Sequence, residues 1–219
     1  PDSMKHSVVD TIVDEYNNGD VDLHQMAADL AGISRKEAKV VNLGIMYGMG
    51  VGKLSNQLDI SKDEAKDILE LYNDKVPFVK QIATIASQRA TTEGQIRTIL
   101  GRRCRFHLWE PRTFGYNKAM PLAEAEKEYG GLGMLRRAFT YKALNKLIQG
   151  SAADQTKKAM VDCYAENFTP MLTVHDELCF SVQNEEQAKR ITEIMETGLP
   201  LNVPTRVDCE MGDNWGEAG

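Results

Sequence analysis

Residues 170–182, PMLTVHDELCFSV, decide the fold class, because two apolar stretches flank a charged centre. Apolar side chains dominate 171–174, and after the centre they alternate with smaller or polar residues over 178–182. Alternation with a period of two is typical of a β-strand, and apolar residues at helical spacing return only after residue 183. We therefore predict a β-hairpin over 170–182. Its turn holds His175, Asp176 and Glu177.

Segments on both sides of this hairpin have the patterns of helices and of short strands. Ser61, followed three residues later by Glu64, has the spacing of a capping box and predicts a helix over 62–75 that ends at Pro77. Other helices are predicted at 22–58 as segments broken by glycines, at 78–91, at 135–167 with a bend near Gly150, and at 184–199. Other strands are predicted in a hairpin at 95–109 and at 203–211, with a long loop and a short helical piece over 110–133. The whole pattern predicts an α+β fold with a small antiparallel sheet.

The 219-residue chain has the composition of a soluble globular protein. Hydrophobic residues make up 42% and charged residues 26%, which excludes a disordered or fibrous chain. No apolar run approaches the roughly 18 residues of a membrane span. The four cysteines are widely spaced and form no C-x-x-C pair, so the sequence does not indicate a zinc site or a dithiol redox site. We expect reduced thiols, a cytoplasmic location and no membrane partner.

Positive charge is concentrated in one part of an otherwise acidic chain. The net charge is −6, yet residues 101–150 contain ten basic and four acidic residues, a net of +6. Because counterion release depends on local rather than total charge, this basic block is a candidate surface for phosphates. A solvated charged surface is the alternative.

The first group of candidate site residues lies at steps of four. Arg35, Lys39, Leu43 and Tyr47 would form one stripe along a helix, and Gly48 follows them. Two cations suit the phosphates of a nucleotide, and the apolar and aromatic side chains suit its sugar and base. The alternative is an exposed basic turn that leads into a leucine and a tyrosine of the core.

Two further groups could carry chemistry. Strands on both sides of His175, Asp176 and Glu177 would hold a carboxylate rigidly at a surface, as a Mg²⁺ ligand requires, although ordinary turn chemistry is the alternative. Asn145 and Gln149 are four residues apart on a predicted helix and could reach base or sugar edges. Two exposed amides without a function are the alternative for that pair.

Taken together, these segments resemble motifs of the DNA polymerase I family, in the family's order. Residues 35–48, RKEAKVVNLGIMYG, resemble motif B of the fingers helix, 148–154, IQGSAAD, resemble the Q-G-S-A-A-D helix, and 174–178, VHDEL, resemble motif C. Shorter matches are Asp22-Leu23-His24, Gly101-Arg102-Arg103 and Gly212-Asp213-Asn214-Trp215. The resemblance extends over residues 20–216, and an unrelated helical fold with chance matches is improbable because the order is kept.

The resemblance implies a helical fingers subdomain plus part of a palm that contains the hairpin. We assign 1–21 to an N-terminal segment, partly foreign if Met4 is the native start, 22–95 to fingers with the nucleotide-binding helix, and 96–219 to the remaining fingers and the C-terminal palm. Departures from the family pattern suggest a phage-like member from a bacterial or phage-infected cell. They are Leu43 in place of Phe or Tyr, Tyr141 in place of Arg, and an extended segment at 106–134.

The resemblance also implies roles for single residues around the incoming nucleotide. Arg35 and Lys39 would bind the triphosphate, with Lys39 also a proton donor to the leaving pyrophosphate, and Leu43 would lie against the nucleotide. Tyr47 and Gly48 would shape the pocket of the templating base.

Other residues would contact the DNA and the metal ions. Asn145 and Gln149 would contact the primer-template, together with Gly48, Arg102 and Arg103. His175 would lie by the primer end, and Asp176 would be the metal ligand, with Glu177 a weaker candidate. Two Mg²⁺ ions are expected in the assembled site.

The implied reaction is template-directed nucleotidyl transfer from dNTPs to a primer 3′-OH in DNA replication, with primer-template DNA as a partner. In the family, a second metal-binding Asp lies in a D-Y-S-Q-I-E-L-R-like motif A before the Asp-x-His segment, and no such motif occurs among the 21 residues before Asp22. We expect this chain alone to be inactive, and a second polypeptide to supply the motif A carboxylate, the thumb and the rest of the palm, either as the other half of a split enzyme or as the remainder of a truncated one. The alternative is a non-catalytic nucleic-acid-binding remnant of a polymerase.

Overall fold

The computed structural model describes residues 13–14, 17–19, 22, 24–25, 28–29, 32–46, 48–75, 77–113, 115 and 118–218. Within these residues the chain forms two compact units, one over 22–149 and the other built on 150–218. Helices combine with short antiparallel strands, which confirms the predicted α+β class. The assignment of 1–21, 22–95 and 96–219 to functional subdomains stays a prediction.

Four helices form the first part of unit 22–149. They are α1 (Arg35–Met46), α2 (Val51–Leu58), α3 (Lys62–Lys75) and α4 (Pro77–Thr92). The prediction for α3 is confirmed, because the backbone N–H of Ser61 donates to Glu64 Oε2 at 2.9 Å and the N–H of Glu64 donates to Ser61 Oγ at 3.2 Å. Helix α3 ends before Pro77, and Pro77 is the first residue of α4. The missing N–H of proline costs no hydrogen bond there, because the first N–H groups of a helix have no intrahelical acceptor.

The core of this unit lies between the helices. Ala38 and Val41 of α1 pack with Leu54 of α2, Ala65 of α3 and Leu144, and all five are buried. Burying a leucine side chain stabilises a fold by about 2 kcal/mol. Because Ala38 and Val41 pack into this core, the opposite side of α1 is exposed to solvent.

Short strands follow the helices. β1 (Gln95–Arg97) pairs antiparallel with β2 (Arg103–Arg105), which confirms a hairpin in this region. A separate sheet has the order β4-β3-β5 and consists of β3 (Leu108–Pro111), β4 (Met120–Pro121) and β5 (Leu135–Arg137), with helix α5 (Leu122–Tyr129) between β4 and β5. The short helical piece predicted within the loop over 110–133 is confirmed as α5, whereas the prediction did not include the end of β3 or the two-residue strand β4.

The long helix begins later than its apolar pattern predicts. It is α6 (Ala143–Ala165), and it continues through Gly150 without interruption. The residues before it form β5 and a 3-10 turn over Thr140–Lys142, because Phe139 takes a left-handed backbone conformation with φ +61°. An aromatic residue with that φ cannot continue a right-handed helix.

Unit 150–218 contains the hairpin of β6 (Pro170–Val174) and β7 (Glu177–Phe180), which confirms the prediction that decided the fold class. The next predicted helix is also confirmed as α7 (Glu185–Thr197), and Asn184 caps it by accepting from the N–H of Gln187 at 3.0 Å. The strand predicted at 203–211 is wrong, since these residues join no sheet in the described chain and Val207 donates its N–H to a glutamate side chain on α7. No helix in the described ranges is both long and apolar enough to cross a membrane.

Candidate active site

The exposed side of α1 carries the predicted stripe. Arg35, Lys39 and Leu43 are all exposed, whereas Ala38 and Val41 on the other side are at most 2% exposed. Leu43 is 39% exposed, so the alternative in which it packs into the core is wrong. Two cations and an apolar side chain therefore lie along one accessible face. We call Arg35, Lys39 and Leu43 the cationic stripe.

The helix ends where the stripe ends. Gly48 has φ +82°, and the N–H of Met49 donates to the carbonyl of Gly44 at 2.8 Å, which is the pattern of a Schellman cap with glycine at its left-handed position. A Cβ on Gly44 would lie 1.8 Å from Cε of Met49, so this side chain folds back closely over the last turn. Tyr47, predicted for the same stripe, lies outside the described residues.

Gly48→Ala should lower the free energy of unfolding by about 1 kcal/mol, because an alanine must adopt the left-handed conformation. No atom lies within 4 Å of a Cβ built at this position, so the cost is one of backbone strain. Gly52→Ala is the matched control, since its Cβ also meets nothing within 4 Å but the residue is inside α2, where alanine should stabilise by a similar amount. Urea unfolding of the chain measures both, and equal effects from the two changes would contradict this account.

Arg35 is held from the side by an aspartate that precedes it. Its Nε donates to Oδ2 of Asp22 at 2.7 Å, and Oδ1 of Asp22 accepts from the backbone N–H groups of His24 and Gln25 at 2.9 and 3.0 Å. The hydrogen bond from Arg35, followed by that from Gln25, holds the pKa of the Asp22 carboxyl below its usual value. The aspartate thus stays charged and keeps the guanidinium at the N-terminal end of the stripe.

A buried network that starts from Asn42 of α1 reaches the same segment. Tyr72 donates its hydroxyl to Oδ1 of Asn42 at 2.5 Å, and Nδ2 of Asn42 lies 3.2 Å from Nδ1 of His24. An amide nitrogen can only donate, so Nδ1 of His24 is the acceptor in this contact. The candidate roles drawn from the sequence did not include His24, although the short Asp22-Leu23-His24 match was the signal that could have identified it.

The acidic turn in unit 150–218 has two residues at its tip. Val174 pairs with Glu177, which leaves His175 and Asp176 between the strands, and His175 has φ +55°. A left-handed conformation at a non-glycine residue persists only where the surrounding structure enforces it, here through the hairpin. Asp176 is exposed, and within the described chain its carboxylate makes no hydrogen bond or ion pair. The turn therefore presents one available carboxylate.

The carboxylate of Glu177, unlike that of Asp176, is already hydrogen-bonded within the protein. Its Oε1 accepts from the indole Nε1 of Trp215 at 3.0 Å and from the thiol of Cys179 at 3.1 Å. These two hydrogen bonds, that from Trp215 first, lower the pKa of the Glu177 carboxyl. The two carboxylates of the turn thus differ, because one is tied to the protein and the other faces solvent.

The predicted DNA contacts lie on α6 and on the first hairpin. Asn145 is half-buried and Gln149 is exposed, one helical turn apart. Arg102 and Arg103 are exposed at the start of β2, where the N–H of Arg102 donates to the hydroxyl of Thr98 at 3.0 Å. Within unit 22–149 the structure thus presents the cationic stripe, the Asp22 contact and these polar side chains, whereas the acidic turn belongs to unit 150–218.

The sequence model of DNA polymerase family A matches residues 5–217. The chain belongs to DNA polymerase family A. The DNA-directed DNA polymerase of Pseudomonas phage M6 is 35% identical over 94% of the chain, and DNA polymerase I of Bacillus caldotenax is 32% identical over 98%. The POL domain of Pol1 from M. smegmatis, in complex with DNA primer-template and dNTP, matches 94% of the chain with a TM-score of 0.72 and 28% identity. The predicted resemblance is confirmed.

The chain spans only part of each of these family A relatives. It covers 33% of the phage protein, 24% of the Bacillus protein and 36% of the M. smegmatis chain. Family membership therefore comes from a match along almost all of this chain, whereas the relatives contain much that these 219 residues do not.

The side chains of the acidic turn fit the Mg²⁺ expected for family A. Mg²⁺ is held by one or two carboxylates and completes its shell with water and substrate phosphates, and an exposed aspartate on a rigid turn supplies such a ligand. The described residues contain no group of three or more His, Cys, Asp or Glu side chains that could hold a metal ion by themselves. Asp176 is thus the candidate ligand, and Glu177 is less suited because Oε1 is already bonded.

Proposed function

We propose that the chain is the C-terminal part of a DNA-directed DNA polymerase that transfers nucleotides from dNTPs to a primer 3′-OH during DNA replication. The observation that carries the proposal is the cationic stripe, with two cations and an apolar side chain exposed on one face of α1. Family membership supports it, as does the similarity to a polymerase domain solved with primer-template DNA and dNTP. The 35% identity to a phage polymerase supports a phage-like member that acts in the cytoplasm of a bacterial or phage-infected cell.

The two cations of the stripe would bind the triphosphate in different ways. Arg35 uses its Nε for Asp22, and its terminal N–H groups make no other hydrogen bond within the described chain, so they suit bidentate contact with a phosphate. Lys39 is an exposed point charge without an ion-pair partner among the described residues. An ammonium can also release a proton, so Lys39 would protonate the leaving pyrophosphate. Leu43 would lie against the sugar and base of the same nucleotide.

Asp176 would hold Mg²⁺ at the acidic turn, and a second ion is expected in the assembled site. When bound, the metal would neutralise charge on the phosphates and orient them for in-line displacement. The turn contributes a carboxylate that is already exposed and fixed, while His175 beside it would lie near the primer end.

The proposed DNA contacts use the polar side chains outside the stripe. Asn145 and Gln149 would contact the primer-template near the insertion site, and Gly48 would leave room for the templating base beside Tyr47. Arg102 and Arg103 would contact phosphates. Hydrogen bonds from such residues position the duplex, which is a requirement for in-line transfer.

We further propose that a carboxylate outside these 219 residues completes the site. Two metal ions are bridged by more than one carboxylate, and the 219 residues contain no second aspartate in a motif A context. The partner, whether the rest of the same protein or a separate polypeptide, would carry that carboxylate, the thumb and the rest of the palm.

A primer-extension assay tests this proposal. The chain alone should not extend a primer, whereas a mixture with a polypeptide that carries motif A should do so in the presence of Mg²⁺. A mixture in which the two polypeptides associate but no extension occurs would contradict it.

Leu43→Phe in the completed enzyme should increase nucleotide insertion about fivefold and change the discrimination between deoxy- and dideoxynucleotides, because an aromatic ring stacks better on the nucleotide. Leu43 is 39% exposed, so the larger ring meets no core packing. Ile82→Phe on α4 is the control, with 43% exposure and no proposed contact. Single-turnover incorporation measures the effect. Unchanged kinetics on both kinds of nucleotide would rule out a contact between position 43 and the substrate.

A further inference from the structure

The segment before and at the start of α6 is a strongly basic part of the chain. Residues 131–150 contain four basic side chains and no acidic one. They are Arg136, Arg137, Lys142 and Lys146. Large apolar side chains are also exposed within the same twenty residues. A surface that is both basic and apolar is unusual for a region exposed to water, and suggests a ligand with both charge and flat apolar faces.

Two aromatic rings in this segment are exposed and share one cation. Phe139 is 39% exposed and Tyr141 is 69% exposed. The ammonium of Lys142 lies 5.0 Å from the centroid of the Phe139 ring and 5.6 Å from that of the Tyr141 ring. We call these three residues the aromatic platform.

The backbone holds the aromatic platform in place. Ala138 and Ala143, which flank it, are buried, so the chain is anchored on both sides. Between them Phe139 has φ +61°, and its carbonyl accepts from the N–H of Lys142 at 2.9 Å, which closes a 3-10 turn. A left-handed aromatic residue is uncommon, because the conformation costs conformational free energy. Other contacts in the folded chain must offset that cost. The turn thus directs the rings outward instead of into the core.

The other cation–aromatic contacts in the described chain are of a different kind. Lys146 lies 5.0 Å from the ring of Phe106, which is 4% exposed, and Arg137 lies 4.5 Å from the half-buried ring of Trp109. Arg137 also donates to the carbonyl of Phe106 at 2.9 Å. These contacts hold the small sheets together, whereas both rings of the platform remain accessible to a ligand.

We infer that the aromatic platform stacks unpaired bases of single-stranded DNA, with the ammonium of Lys142 bound to a phosphate. Exposed aromatic side chains in a basic surface are the general means by which proteins bind single strands, because every base has a flat face. Bases in a duplex already stack on each other, so an unpaired strand such as a template overhang fits best. The inference rests on the proposed function in one respect, since DNA as the partner comes from it.

The experiment uses the full chain and two fluorescent probes. One is an oligodeoxyadenylate, and the other is an oligomer of equal length in which every nucleotide is abasic, so that the phosphates remain and the bases are absent. Fluorescence anisotropy at several salt concentrations gives the affinities. Tyr164→Ala is the matched control for Tyr141→Ala, because Tyr164 is 68% exposed and lies outside the basic segment.

Tyr141→Ala and Phe139→Ala should each weaken binding of the oligodeoxyadenylate about tenfold and leave binding of the abasic oligomer unchanged, since only stacking is lost. Tyr141→Phe should keep wild-type affinity, as it keeps the ring. Lys142→Gln should reduce the salt slope by about 0.7 on both probes, because one phosphate contact is lost from a single strand. Tyr164→Ala should change neither affinity.

Wild-type affinity of both ring variants for oligodeoxyadenylate, or an equal loss on the abasic oligomer, would overturn the inference. The thermal melting temperature of each variant shows whether a loss of binding comes from misfolding. If an alanine variant melts at a lower temperature than the wild type, Tyr141→Leu repeats the test, because leucine keeps apolar bulk without an aromatic ring. Primer extension by the completed enzyme tests the proposed function separately. If the completed enzyme extends primers and the ring variants bind oligodeoxyadenylate with wild-type affinity, the inference about the platform is wrong while the proposed function stands.

Discussion

Asp176→Asn should reduce primer extension by the completed enzyme about 1000-fold, because the amide keeps the shape of the side chain but loses the charge that a divalent cation requires. The loss should fall on the rate of nucleotide transfer. Asp176 is exposed at the tip of a two-residue turn, so the change removes no packing or hydrogen bond within the described chain. Rapid-quench measurement of single-nucleotide insertion at saturating Mg²⁺ and dNTP gives the rate.

The same variant separates an enzyme from a non-catalytic remnant. Binding of primer-template DNA should be retained in Asp176→Asn, since the carboxylate repels phosphates when no metal is present. Asp208→Asn is the control, because it is the same change at another exposed aspartate of unit 150–218. If Asp176→Asn leaves the rate of nucleotide insertion unchanged, the chain is a DNA-binding module and any DNA synthesis comes from the partner alone.

Lys39→Ala should lower kcat/KM for the incoming dNTP by at least about 100-fold, because both a phosphate-binding charge and a proton donor are lost. Lys39→Arg divides these two roles. Arginine keeps the positive charge but does not release its proton near neutral pH, so KM should stay near the wild-type value while kcat falls. Steady-state kinetics of the completed enzyme on a defined primer-template measures both parameters.

The control for Lys39 lies on the same helix. Lys36 is exposed and differs from Lys39 mainly in its position around α1, since it lies off the cationic stripe. Lys36→Ala should therefore change kcat/KM by less than about threefold, the scale of an exposed charge screened by salt. Equal losses at both positions would mean that the helix supplies general positive charge without a specific triphosphate site.

The sequence predicted those parts of the fold whose signals are local. Ser61 and Glu64 lie three residues apart and form the expected capping box, and the hairpin over 170–182 has its turn between adjacent strands. The sheet of β3, β4 and β5 was missed because its pairing joins residues far apart in the chain, such as Trp109 and Arg137. Short strands without alternation give no periodic signal in the sequence. They are identified only by their hydrogen-bonded pairing with another strand in the folded structure.

The long helix shows a second reason for failure. Apolar spacing extends over 135–167, but spacing does not report the left-handed φ of Phe139 that ends the helical path. The strand expected at 203–211 failed because a strand needs a partner, and Val207 instead bonds to the side chain of Glu196. Patterns of residue type predict which conformation a segment favours, while pairing and strain decide which one it takes.

The candidate site divides in the same way. The cationic stripe follows from helical periodicity, so the exposure of Arg35 and Lys39 could be predicted. The contacts that hold Arg35 and fix α1 could not be predicted, because Asp22 lies 13 residues from Arg35, and the hydroxyl of Tyr72 reaches Asn42 of α1 across 30 residues. Only the short Asp-x-His match indicated that the segment before α1 belongs to the site.

The central claim is that the acidic turn supplies a metal ligand that nucleotide transfer requires, and a count of bound metal ions tests it most directly. Mn²⁺ can replace Mg²⁺ on the dNTP bound to the completed enzyme, and the electron paramagnetic resonance signal of free Mn²⁺ gives the number of ions bound. Asp176→Asn should lower that number by about one, because the exposed carboxylate is lost, whereas Asp208→Asn should leave it unchanged. An unchanged number of bound ions in Asp176→Asn would contradict the account.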